Sequence, residues 1–133
     1  MAAFNKFDQT VEDIMKGEHD FETDQLRIAL TAPANAPVAA NSVLSDLTEI
    51  SYTNLSSRDV TTTSAEQTSG TLAVVLVDLE LSASGAVAEF RYAVLYNSEN
   101  DKLIGWYDYG EGLTMADGES LTLDWPANAL TLA

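Results

Sequence analysis

The chain of 133 residues contains no cysteine, which excludes a disulfide framework, a thiol nucleophile and a thiolate metal site. It has a single histidine, His19, too few for a zinc site built on imidazoles. Basic residues are scarce as well. Six Lys and Arg stand against 21 Asp and Glu, giving a formal net charge of −15 and a pI near 4.1. A surface that negative repels phosphate backbones and anionic lipid, so neither nucleic acid nor membrane is expected as a partner. Long apolar runs are missing too. The longest, Leu72 to Val77, has six residues, where a bilayer span needs about 20. The opening Met1 to Asp8 has no apolar leader, so synthesis in a cytoplasm is expected.

Catalytic signatures are equally sparse. There is no Gly-x-Ser-x-Gly elbow and no Gly-x-Gly-x-x-Gly or Gly-Lys-Ser/Thr phosphate loop. His19-Asp20 has no nucleophile to serve and reads as an exposed loop histidine among acids. Gly110-Glu111-Gly112 places a carboxylate where phosphate needs a donor, and reads as turn glycines. Glu18, Asp20, Glu22 and Asp24 alternate in one loop without the spacing of an EF-hand, and read as a solvated face. No enzyme activity, cofactor or metal is therefore expected.

Periodicity carries more. Phe4, Phe7, Val11, Ile14 and Met15 recur at helical steps and predict an amphipathic helix over residues 4–15, ended by Gly17. From Leu26 the period changes to two, with Leu26, Ile28 and Leu30 on one face of a strand. Thr31 to Ala40 holds Pro33, Pro37 and five alanines and predicts an extended arm. Asn41-Ser42 could cap a short helical turn through Val43, Leu44 and Leu47. Val60 to Thr63 suits a sheet edge. Leu72 to Leu81 reads as one long strand, Val87 to Tyr96 as another, and Leu103 to Tyr109 as a third, with Gly105 marking a bulge. An Asp117-Gly118 turn, a strand over Leu121 to Trp125 and a last piece at Leu130 to Leu132 follow.

One helix and six to eight strands without helical crossovers predict a mainly β fold: an antiparallel β-sandwich, jelly-roll-like, with an N-terminal amphipathic helix. The expected organisation is one domain, 1–133, made of a helix over 1–17 and a sandwich over 26–133. The expected core is Leu26, Ile28, Leu30, Val75, Val77, Leu79, Phe90, Tyr92, Val94, Leu121 and Leu123. The aromatic run Gly105 to Gly110 would turn Trp106 to one face and Tyr107 and Tyr109 to the other.

Several segments resemble a family of small tailed-phage virion structural proteins. They are Phe4-Asn5-Lys6-Phe7 with Val11-Glu12-Asp13, the stretch Leu44 to Arg58, and Phe90 to Asn97. Leu103 to Gly110 and Ala116 to Leu121 continue the likeness over nearly the whole chain. The dense acid from Glu18 to Asp24 departs from the family pattern. The resemblance implies a virion part without catalytic residues. By analogy with small sandwich proteins on phage heads it implies a capsid cement (decoration) protein on the outer capsid surface. Its partners would then be the major capsid protein and further copies of itself, as a dimer or trimer. The alternative is a tail or baseplate adhesin that binds host-surface carbohydrate. The terminal helix and the Pro/Ala-rich arm have little of their own to pack against, and Tyr and Trp favour interfaces. Phe4, Phe7, Val11, Pro33, Pro37, Trp106, Tyr107 and Tyr109 are accordingly the candidate partner interface.

Overall fold

In the computed structural model, which describes residues 4–125 and 129–132, 50% of the described residues are strand and 9% helical. The elements run β1 (Phe4–Lys6), α1 (Asp8–Met15), β2 (Leu26–Thr31), a 3₁₀ turn (Leu44–Asp46), β3 (Asp59–Val60), β4 (Thr62–Thr68) and β5 (Thr71–Leu76). Then come β6 (Leu79–Ser82), β7 (Val87–Asn97), β8 (Lys102–Met115), β9 (Ser120–Leu123) and β10 (Leu130–Leu132). They form a five-stranded sheet in the order β1-β8-β7-β2-β3, a three-stranded sheet β10-β5-β4 and a pair β6-β9. Every pairing is antiparallel. The mainly β, antiparallel character expected from the sequence is therefore present.

Two apolar clusters lie against the five-stranded sheet. The larger joins Leu26, Ile28, Leu30, Phe90, Leu95, Ile104 and Tyr107 to Val74 and Leu76 of β5, Leu81 of β6 and Leu123 of β9. The smaller holds Phe7, Ala29, Val94, Tyr96 and Leu103, with Leu44, Leu47 and Trp106 packed on it. Strand β2 is thus apolar on both sides, and Ala29 and Thr31 are buried along with Leu26, Ile28 and Leu30.

The expected strand over residues 72–81 is two strands. The Val77 N–H bonds the Thr61 carbonyl at 2.9 Å, and an Asp78 carboxylate oxygen accepts the Trp125 N–H at 3.0 Å. These bonds hold the chain where it passes from one sheet to the next. Val77 falls in that passage and is 50% exposed. Val75, Leu79 and Leu121 are half-buried rather than core. Strands β7 and β8 pair with register shifts near Phe90 and between Leu95 and Tyr96. A shift changes which face a residue occupies, so Phe90 belongs to the larger cluster and Val94 to the smaller. Gly110-Glu111-Gly112 lies inside β8, within the irregular stretch between Asp108 and Leu113, rather than in a turn between strands.

The shift beside Leu95 leaves Ile104 as the extra residue between Leu103 and Gly105. Gly105, read as a bulge marker, stands beside it. A Cβ there would lie 2.5 Å from the Phe4 ring and 2.6 Å from the Asn5 carbonyl oxygen, so β1 can cross this point only above a glycine.

The first segment departs most from expectation. Phe4 is not helical. It lies in β1, which pairs with Gly105 to Tyr107, and α1 has eight residues. The residues α1 buries are Thr10 and Asp13, while Val11 is 37% and Met15 77% exposed. The carbonyls at the bulge explain the reversal. The Phe7 N–H bonds the Ile104 carbonyl at 3.2 Å, and the Thr10 hydroxyl donates to the same oxygen at 2.8 Å, with the Leu103 carbonyl 3.2 Å away. The fully buried Phe7 and these bonds fix the rotation of the helix, which turns Val11 and Met15 outward and leaves Ile14 half-buried against the larger cluster. Gly17 does end the helix. Its φ is +77°, and Gly17 and Glu18 return their N–H groups to Ile14 and Asp13, the left-handed cap that glycine favours.

Candidate functional site

Phe4, Phe7, Trp106 and Tyr107 come together, though against one another. The rings of Phe7 and Trp106 have centroids 4.5 Å apart, and Phe4 lies 5.1 Å from Tyr107 and 6.1 Å from Trp125. Phe7 and Tyr107 are fully buried and Pro37 is buried too. These three have no surface to offer a partner, a correction that follows from β1 and the arm folding back on the sheet. Trp106, Tyr109, Phe4 and Pro33 are half-buried. The hydroxyls of Tyr107 and Tyr109 and the Trp125 ring N–H are buried without hydrogen-bond partners. Burial raises the Tyr109 phenol to about 12 and moves Tyr107 in the same direction, so both stay neutral.

Val11 is the candidate that remains at the surface, and it has company. Met15 stands one turn further along α1. The Asp8 N–H bonds the Ala39 carbonyl at 3.0 Å, which holds the arm against the start of the helix. Val38, Ala39 and Ala40 of that arm are exposed. The helix and the arm, two segments singled out from the sequence, therefore meet. Together they present Val11, Met15 and Val38 to solvent. The 3₁₀ turn after the arm is capped from the opposite end to the one expected. The Asp46 carboxylate accepts the N–H groups of Ser42 and Val43 at 2.9 and 3.2 Å, which hold its pKa below the usual carboxylate range.

Behind α1 lies a buried polar cluster that sequence reasoning missed. His19, expected in an exposed loop, is 7% exposed and Asp13 is 2% exposed. The cap at Gly17 turns the chain inward, and the Asn97 side-chain amide meets it from the end of β7. Its NH₂ is 2.6 Å from an Asp24 carboxylate oxygen and 3.2 Å from His19 Nδ1, while its oxygen accepts the Glu99 N–H at 2.9 Å. That bond fixes which end of the amide faces the imidazole. His19 Nδ1 is therefore the acceptor, and Nε2 carries the proton. Nε2 and Asp13 Oδ2 are buried without partners. Desolvation lowers the His19 pKa against the pull of Asp13, Asp24 and Glu18. The only available signals were the Gly17 cap and the Asn97 amide 78 residues away, and nothing local links them.

Elsewhere the surface holds open grooves. One of about 370 Å³ runs between His19, Phe21, Ala65 and Leu72. Another, of about 340 Å³, runs beside Arg27 and Arg58. There Arg27 bonds Asp59 at 2.7 Å, and Arg58 covers the Tyr52 ring at 3.6 Å with Glu49 4.0 Å away. Each guanidinium thus has a carboxylate alongside. Among the described residues no group of three or more His, Asp or Glu is placed to hold a metal ion, and no helix is long and apolar enough to cross a membrane. No family model matches the chain, and neither a curated protein nor a solved structure is similar to it.

Proposed function

We propose that the chain is a non-enzymatic structural protein of a tailed-phage virion, a capsid cement protein that binds the outside of the major capsid shell. In the same reading, the five-stranded sheet facing the two smaller sheets across the larger cluster is a sandwich of jelly-roll-like descent. The observation that carries the proposal is the exposure of Val11 and Met15 on α1 together with that of Val38, in the arm that bonds the start of the helix through Ala39. Thr10 and Asp13 of α1 face the sheet while Val11 and Met15 face water, a disposition that favours covering by a partner. The net charge of −15 keeps free copies soluble and turns the rest of the surface away from packaged DNA. Segment resemblance to small virion proteins supplies the capsid as the partner.

A density map of the particle tests the assignment. Cement copies cover the head in hundreds, whereas a tail or baseplate adhesin occurs in a handful at one end. A second test uses Val11→Lys with Met15→Lys. Both side chains face solvent, so the folded protein is expected to keep its thermal midpoint while its occupancy on purified heads falls at least tenfold. Full occupancy of the double variant would end the reading. Deleting residues 1–17 is the wrong probe, because it would remove β1 from the sheet and Phe7 from the smaller cluster.

A further inference from the structure

Strand β4 is the longest of the strands that end a sheet. It has seven residues, against three in β1, two in β3, four each in β6 and β9, and three in β10. Its hairpin with β5 closes through Ser69 and Gly70, whose φ values are +52° and +84°. Two consecutive positive φ values make a two-residue turn whose twist suits a hairpin. Such a turn makes Thr68 and Thr71 a hydrogen-bonded pair, and in an antiparallel ladder bonded and non-bonded pairs alternate. With the register Thr68↔Thr71, Gln67↔Leu72, Glu66↔Ala73 and Ala65↔Val74, the main-chain N–H and C=O of Ala65 and Gln67 point away from β5. From Ser64 to Thr68 they form a regular edge, the register shift between Thr62 and Ser64 lying at its start. Natural edges are protected by Lys, Pro, short length, a bulge or a covering loop, and in β4 the one irregularity is confined to the shift at Thr62/Ser64. Strand β4 has neither Lys nor Pro, and Glu66 is its only charge. The pair β6-β9 shows the protected case, since Ser56 and the Leu55–Ala83 bridge cover the edge of β6.

We propose that β4 is a self-association edge, on which a second copy of this chain adds its own β4 antiparallel across a two-fold axis. This names the contact surface for the self-association expected of a cement protein, and rests on that reading only for its use in the particle. Charge selects the occupant and the register. An approaching copy with net charge −15 is repelled almost everywhere, and the stretch from Val60 to Val77 carries Glu66 as its single charge. Placing the axis at Glu66 would set two carboxylates directly opposite, which is destabilising. Placing it at Ala65 lets the two Ala65 residues exchange N–H···O=C bonds and sets each Glu66 opposite Ser64 of the other copy. Glu22 lines the groove along Thr62 to Glu66, so added salt strengthens the pairing by screening.

Sedimentation of the purified full chain at rising concentration tests this at low and high salt. A monomer–dimer equilibrium is expected, shifted toward dimer by salt. Hydrogen exchange should show the Ala65 and Gln67 amides exchanging freely at low concentration and slowing as dimer forms. Two variants at one solvent-side position fix the register. Ser64→Lys faces Glu66 twice per dimer and is expected to tighten association about tenfold, while Ser64→Glu is expected to weaken it by a similar factor. Far-ultraviolet circular dichroism checks that both remain folded. A chain that stays monomeric at millimolar concentration and high salt overturns the proposal. So does a dimer in which the two variants behave alike or the Ala65 amide stays unprotected. A dimer formed through this edge by a protein that maps to the tail would refute the cement reading and leave the edge intact.

Discussion

Strands β2 and β7 bury the residues a two-residue period selects: Leu26, Ile28, Leu30, Phe90 and Val94 are all fully buried. Helix α1 departs from its period, burying Thr10 and Asp13 and exposing Val11 and Met15 while Ile14 is half-buried against the larger cluster. The difference lies in what each element must satisfy. A central strand has its backbone bonds supplied on both sides, so its side chains sort by water affinity alone. An eight-residue helix buries too little to set its own orientation. It is held instead by the buried Phe7 and by the Thr10 hydroxyl, which donates at the β8 bulge to the Ile104 carbonyl already bonded by the Phe7 N–H. Stripping that buried hydroxyl of its partner would cost more than exposing two side chains.

The contrast breaks most severely at Val94. Replacing it with Asp puts a carboxylate among Phe7, Ala29, Tyr96 and Leu103. A loss on the order of 5 kcal/mol is expected, comparable with the whole stability of a small domain. Denaturant titration should find the variant largely unfolded in water, and a folded Val94→Asp protein would show that the smaller cluster is misassigned. Next comes Gly105→Ala, whose added carbon meets the Asn5 carbonyl and the Phe4 ring. Overpacking of this kind costs about 1–3 kcal/mol, and freeing of β1 should appear as faster exchange of the Phe7 amide.

Thr10→Val sharpens the helix side of the comparison. It keeps the shape and removes the hydroxyl, so a loss of about 1 kcal/mol is expected, the Ile104 carbonyl still having the Phe7 N–H. If Thr10→Val were neutral while Val11→Thr destabilised, the helix would sit with its apolar side inward.

The smallest effect is a pH dependence at His19. Its pKa is lowered in the fold, first by burial, and protonating Nδ1 would set N–H against the Asn97 N–H. The unfolded chain takes up a proton near pH 6.5. The contribution of neutral His19 is therefore present above that pH and declines as pH falls toward the lower folded value. A thermal midpoint lower at pH 5.5 than at pH 7.5 by a few degrees is expected, and His19→Gln should flatten the slope over that window. The charged groups around the imidazole are Asp13, Glu18, Asp24 and Lys102. An unchanged slope in His19→Gln would place the titration elsewhere.

Much of the β framework could be read from local pattern. Alternation located β2, β7, the start of β8, β9 and β10, and Gly17 and Gly118 marked their turns with positive φ. The candidate site was half legible. The helix and the arm were recognised as the segments with least to pack against, and they do meet at Asp8 and Ala39. Phe7 and Tyr107 were misjudged because a ring on a periodic stripe looks the same whether a partner or the chain's own sheet covers it.

By itself the sequence determined the class of structure, the turns at Gly17 and Gly118 and the strongly negative charge, because each depends on residues close in the chain or on composition alone. Tertiary structure decided the rest: the break at Val77, the face that α1 presents, the burial of His19 and the open edge of β4. Each of these depends on which backbone groups distant strands leave unpaired. That is a property of register, and a shift of one residue in β8 is enough to reverse it.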